Sequence, residues 1–102
     1  MADYLDFIRA NLSERAMLEQ LAEEAAELAQ AALKMIRASS HENPTPVTPE
    51  EAYRNIIEEC ADISLCLIAL GYDTEKDRLL VERTMRVKQQ RWVERIKERT
   101  VG

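Results

Sequence analysis

Two segments of this chain, LAEEAAELAQ (residues 21–30) and IIEECADISL (56–65), place acids among residues that should leave water. The second begins 35 positions after the first and repeats its order: apolar residue, acid pair, small residues, third acid, aliphatic residue. A helical residue advances about 100°, so positions three apart share a face. In the second segment Glu59 and Asp62 then share a face with Ile56, Ile63, Cys66 and Leu70. In the first, Glu24 and Glu27 share one with Met17, Leu21, Leu28, Ala31 and Met35. Glu23 and Glu58 fall at the edges of these stripes. Two antiparallel helices would present one constellation to each other across a local pseudo-twofold.

The rest of the chain agrees with helices. Its 102 residues include two glycines and three prolines, and 46% are hydrophobic. That suits one ordered domain with long helices and few tight turns. The reading is all-α: a bundle of a short helix over about 2–10 and long ones over about 14–38, 49–70 and 75–99. Tyr4, Leu5 and Ile8 face inward on the first. Met17, Leu21, Leu28, Met35 and Ile36 are the apolar positions of the second. Ser13 is the N-cap of helix two. Thr48-Pro49-Glu50-Glu51 opens helix three, Gly71 closes it, and Thr74 with Asp77 starts helix four. SSHENPTPVT (39–48), with two prolines, is the one clear loop.

Net charge is −5, which argues against binding a nucleic-acid polymer. No apolar run approaches the ~20 residues of a membrane span. The start, MADYLDFIRA, lacks the pattern of a secretory signal. Cys60 and Cys66 lie six apart on one helix, too far for a mutual disulfide, which fits a reduced, cytoplasmic setting.

Burying unpartnered carboxylates is costly, and four together also repel. These faces bring no matching arginine cluster, so a cation is the direct resolution. The bland alternative is an acidic face left in solvent. The donors are hard oxygens, which suit Mg²⁺, Mn²⁺ or Ca²⁺. The only histidine, His41, is in the loop, so a Glu-x-x-His di-iron site does not fit. Magnesium is commonly held by carboxylates together with substrate phosphates, so a phosphorylated ligand follows.

EEAAE (23–27) followed by EECAD (58–62) resembles the EExxE…ExxD signature of the MazG-like, all-α nucleoside triphosphate pyrophosphohydrolases. The resemblance covers about residues 14–99. The 31 residues between Glu27 and Glu59 exceed the interval in many members, and the proline-bearing loop accounts for the excess. The resemblance implies hydrolysis of a nucleoside triphosphate to a monophosphate and pyrophosphate. It implies Mg²⁺, with Mn²⁺ as a substitute, held by Glu24, Glu27, Glu59 and Asp62. Glu23 stands where relatives use a further acid for a metal or to activate water, and Glu24 would share that catalytic role; Glu58 is a weaker analogue. A homodimer, or a dimer of dimers, is implied as well.

Substrate phosphates need cations beyond the metal. RVKQQRWVER (86–95) places Lys88 beside Val81, Met85 and Trp92, with Arg91 near the edge. Lys88-x-x-Arg91-Trp92 resembles the family's Lys-x-x-Arg-Arg segment, with Arg95 available in place of the second arginine. Lys88 would otherwise only extend past a core. Lys34 and Arg37 are further candidate phosphate contacts. Trp92 either stacks on a base or packs in a core or interface. His41 and Asn43 touch a base or sugar, or are solvated turn residues.

Ile57, Leu65, Ile68 and Val87 lie off the acid-bearing stripes, which points to a second packing surface. Two other readings stand beside the enzyme: a non-catalytic nucleotide- or metal-binding module, and a structural helical dimerisation protein.

Overall fold

Local signals set where each helix begins and ends. A computed structural model describes residues 2–40, 42 and 45–101, apart from the side chains of Ala2, Thr100 and Val101. It is all-helical: α1 (Ala2–Asn11), α2 (Glu14–Ser39), α3 (Pro49–Leu70) and α4 (Glu75–Val101). The Ser13 hydroxyl accepts the Ala16 N–H at 3.1 Å, and the Thr48 hydroxyl accepts the Glu51 N–H at 3.2 Å. Gly71 takes the left-handed conformation (φ 77°) that ends α3. Thr74 and Asp77 form a reciprocal box: each backbone N–H donates to the other's side chain at 3.2 Å. Residues 41 and 43, the expected loop contacts His41 and Asn43, lie outside the described residues.

The chain forms two compact units, residues 1–71 and 72–102. In the first, α2 and α3 pack along their length as a hairpin, and α1 packs on α3. The connection over 40–48 is too short to return to the start of α2, so the two helices run antiparallel. Their contact is built on small residues: Ala31, Ala52 and Ala69 are buried. Met17, Leu21, Leu28, Met35, Ile56, Ile63 and Leu70 are half-buried around them. Ile36 is exposed, outside this stripe.

α3 has no basic residue in its last turn. Arg9 of α1 supplies the missing charge: its Nε donates to the Ala69 carbonyl at 3.0 Å and its Nη2 to that of Ile68 at 2.7 Å. A cation there meets the last carbonyls of the helix, of which Ile68's also accepts the Gly71 N–H at 2.9 Å, and the negative end of the helix dipole. Leu5 and Ile8 are half-buried, whereas Tyr4, expected to face inward, is 77% exposed.

In the second unit, α4 is a single helix. Of its described side chains only Asp77 is even half-buried. Val81, Met85 and Trp92, read from periodicity as a buried stripe, are all exposed, Trp92 by 65%. Lys88 is exposed among them. Among the described residues no helix is long and apolar enough to cross a membrane.

Candidate metal centre

The hairpin brings the two acid segments together. Glu24, Glu27 and Glu59 each offer a carboxylate oxygen, and these atoms lie within 4.8 Å of one another. Glu24 is buried, with 9% of its surface exposed; Glu59 is half-buried, and Glu27 is exposed. The trio therefore runs from the helix contact out to the rim. The helical turn explains this order. Glu24 and Glu59 point at the opposite helix, and Glu27 and Asp62 are rotated from them by about 60° toward solvent. Because the helices are antiparallel, this rotation carries both residues to the same side of the hairpin.

Glu24 has one fixed partner. Gln20, one turn earlier, donates from its Nε2 to Glu24 Oε1 at 2.8 Å. The other oxygen, Oε2, is buried without a partner, and so is Oε2 of Glu59. Ionised carboxylates only accept hydrogen bonds, so two facing each other need a proton or a cation between them.

The titration of the cluster reflects this. The Glu59 carboxyl is pushed up to about 7, first by its hydrogen bond to Glu24 and then by burial and the charges of Glu27, Glu24 and Asp62. Glu24 is held below its ordinary value, chiefly by that same hydrogen bond, with burial opposing. Asp62 lies outside the trio but against Glu24: its carboxyl is pushed up by desolvation and then by the Glu24 charge. The Cys66 thiol, one turn beyond Asp62, is pushed up by burial and by Glu24 and Asp62. A raised Glu59 beside a lowered Glu24 is the pattern of two neighbouring carboxyls that resist being ionised together.

The residues fit a hard divalent cation. Oxygen donors from both helices converge, and the most buried residue among them, Glu24, keeps an oxygen with no hydrogen-bond partner. A cation there would offset the repulsion among the carboxylates and give both orphaned oxygens a partner.

The remaining sequence candidates fall elsewhere. Glu23 and Glu58 are exposed, each preceding a cluster acid in the chain. Lys34 is exposed on α2, and Arg37 lines a shallow groove with Leu33, Ile36, Ser40 and Glu42. Lys88, Arg91 and Arg95 line one open groove on α4, interleaved with Glu94 and Glu98. Sequence reasoning passed over those two acids, and it passed over Gln20. The signal for Gln20 was present: it stands four residues before Glu24, where a side-chain amide reaches a carboxylate on the same helix face. No family model, no curated protein and no solved structure matches the chain.

Proposed function

We propose that this chain is a magnesium-dependent hydrolase that converts nucleoside triphosphates, ribo or deoxy, into the monophosphate and pyrophosphate, clearing unwanted nucleotides. The observation that carries the reading is the buried Glu24 carboxylate with an unpartnered oxygen inside a three-carboxylate cluster. The choice of reaction follows from the resemblance of EEAAE and EECAD to the MazG-like signature.

In this reading Glu24, Glu27 and Glu59 hold the cation, with Asp62 beside Glu24 as a further ligand. Bound magnesium supplies positive charge to phosphate oxygens and lowers the pKa of a nearby water. Glu23, exposed next to the cluster in sequence, accepts the proton of the attacking water. The water oxygen bonds to the α-phosphorus, and the bridging bond from that phosphorus to the pyrophosphate oxygen breaks. Lys88, Arg91 and Arg95 bind phosphate oxygens, with Lys34 as an additional contact.

The experiment is product analysis with a panel of NTPs and dNTPs plus Mg²⁺. Monophosphate and pyrophosphate are expected, and Glu59→Gln should lower turnover about 1000-fold or more. That variant should fold as well as the parent, because it removes a carboxylate from a repelling cluster. Orthophosphate as the product, or full activity in Glu59→Gln, rejects the mechanism. No turnover with a Mg²⁺-dependent rise in melting temperature leaves a binding module. If neither appears, a helical dimerisation protein remains.

A further inference from the structure

One polar neighbour of the acid cluster is uncharged. Gln20 stands on α2 one turn before Glu24, and its Nε2 donates to Glu24 Oε1 at 2.8 Å. Gln20 is exposed and Glu24 is buried, so the amide reaches from the rim to the most enclosed carboxylate. The other groups that hydrogen-bond to Glu24 are the carboxyls of Glu59, Asp62 and Glu27. An ionised carboxyl has no hydrogen to donate, whereas an amide donates at any pH. With a cation in the cluster and its carboxylates ionised, Gln20 is the donor that remains to Glu24.

The bond also divides the two oxygens of Glu24. The last torsion of a glutamate is broad, so a carboxylate with nothing to hold it turns freely. Gln20 fixes Oε1, and Oε2, buried without a partner, is left to bind. Residue type matters here. A glutamate at position 20 would add charge to a cluster that already repels, and a lysine would cancel the charge of Glu24 and compete with a cation. Glutamine donates and leaves the charge as it is. At the matching place in the repeat, 35 positions on, stands Asn55, four residues before Glu59. Its side chain is shorter by one methylene, and the hydrogen bond that Glu59 makes is with Glu24 instead. Glu24 is therefore the anchored acid of the pair.

We propose that Gln20 is a positioning residue for the cation: it holds Glu24 with Oε2 available to the metal, and so sets the affinity of the site without touching the ion. This rests on the reading of Glu24 as a metal ligand. An amide four residues before a carboxylate also occurs as a plain stabiliser of a helix. That role would move the melting temperature and leave metal binding alone, so the two are separable.

Binding of Mn²⁺ to the full metal-free chain, read as loss of the free-ion electron paramagnetic resonance signal, tests it without any substrate. Gln20→Met keeps the length of the side chain and removes the donor. Its dissociation constant for Mn²⁺ should rise about 10- to 100-fold, while its melting temperature in chelator moves by about 2 °C or less. Gln20→Glu removes the donor by a second route. It should also weaken binding, although its added charge would by itself attract the ion. Asn55→Leu, which deletes the matching amide on α3, should leave the constant unchanged. If the parent binds no Mn²⁺, the metal reading of the cluster falls and the role of Gln20 with it. If the parent binds and Gln20→Met binds equally, or Gln20→Glu binds more tightly, the metal reading stands and Gln20 only stabilises its helix. Equal losses in Gln20→Met and Asn55→Leu overturn the proposal as well, since any amide beside the cluster would then serve.

Discussion

α3 and α4 carry the same kind of pattern and arrive at different outcomes. Each reads as an apolar stripe with charge set into it: Glu59 and Asp62 among Ile56, Ile63 and Leu70 on α3, Lys88 among Val81, Met85 and Trp92 on α4. On α3 the stripe meets α2. Ile56, Glu59 and Ile63 are half-buried, and the Glu59 carboxyl is perturbed to about 7. On α4 the stripe is exposed along its length, and Lys88 with it. Periodicity identifies a face of a helix, but only a packing partner turns that face into a low-dielectric environment. The charge on α3 has therefore acquired chemistry, and the charge on α4 retains the freedom of a surface side chain.

Lys88→Ala breaks this comparison most directly, since it asks whether an exposed cation on α4 matters. With Lys88 holding a substrate phosphate, the variant should lose roughly 10- to 100-fold in kcat/KM, the effect of deleting one hydrogen bond between charged groups. Because the side chain is exposed, unfolding free energy should move by less than about 0.5 kcal/mol. Steady-state kinetics beside urea denaturation separates the two. Unchanged kinetics would leave the lysine with no part in catalysis.

The α3 half of the comparison is sharpened by pH. Glu59 keeps its proton up to about 7 in the folded protein, against an ordinary value of 4.5. Between those values the folded state binds a proton that the unfolded chain has released, so metal-free stability should fall as pH rises from about 4.5 through 7. Glu24, held below 4.5, has the opposite sign: its contribution is present above 4.5 and is lost as pH falls through its folded value. That loss lies below the window in which Glu59 acts. Thermal unfolding in a chelator should therefore show a higher Tm at pH 5.5 than at 7.5. Saturating Mg²⁺, which binds the ionised carboxylates, should reverse the order. A Glu59→Gln protein with the same slope would place the effect elsewhere.

The difference between α3 and α4 also shows what could be read from the sequence. Helix limits were legible because they are local. Ser13, Thr48, Gly71 and Thr74 each act within a few residues, and their hydrogen bonds are the expected ones. The meeting of Glu24, Glu27 and Glu59 was legible because repeat and periodicity together placed two acid pairs on facing helices. The gradation among the acids was not legible. Whether Glu24 is buried while Glu27 and Asp62 reach the rim depends on the angle at which the helices meet. Arg9 was invisible for a related reason: it satisfies carbonyls about 60 positions away in the chain. The exposure of Trp92 and Met85 lay beyond the pattern too, since an apolar stripe does not specify what covers it.

The smallest effect concerns how α3 ends. Gly71 has φ 77°, and a Cβ built there meets nothing within 4 Å. Only the backbone penalty of the left-handed conformation then opposes a side chain, about 1 kcal/mol for alanine. Gly71→Ala should lower stability by that amount in denaturant titration while leaving Mg²⁺ affinity unchanged, since the acid cluster lies more than two turns away along α3. A much larger loss would show that the α3 terminus, with Arg9 bound to its last carbonyls, is held more tightly than an ordinary helix end. It would also mean that the α2–α3 pairing, and the low-dielectric setting of Glu59 with it, depends on α1 closing that end. A negligible loss would place the strength of the hairpin in the alanine contact between α2 and α3, where Ala31 and Ala52 let the helices approach closely enough for the carboxylates to meet.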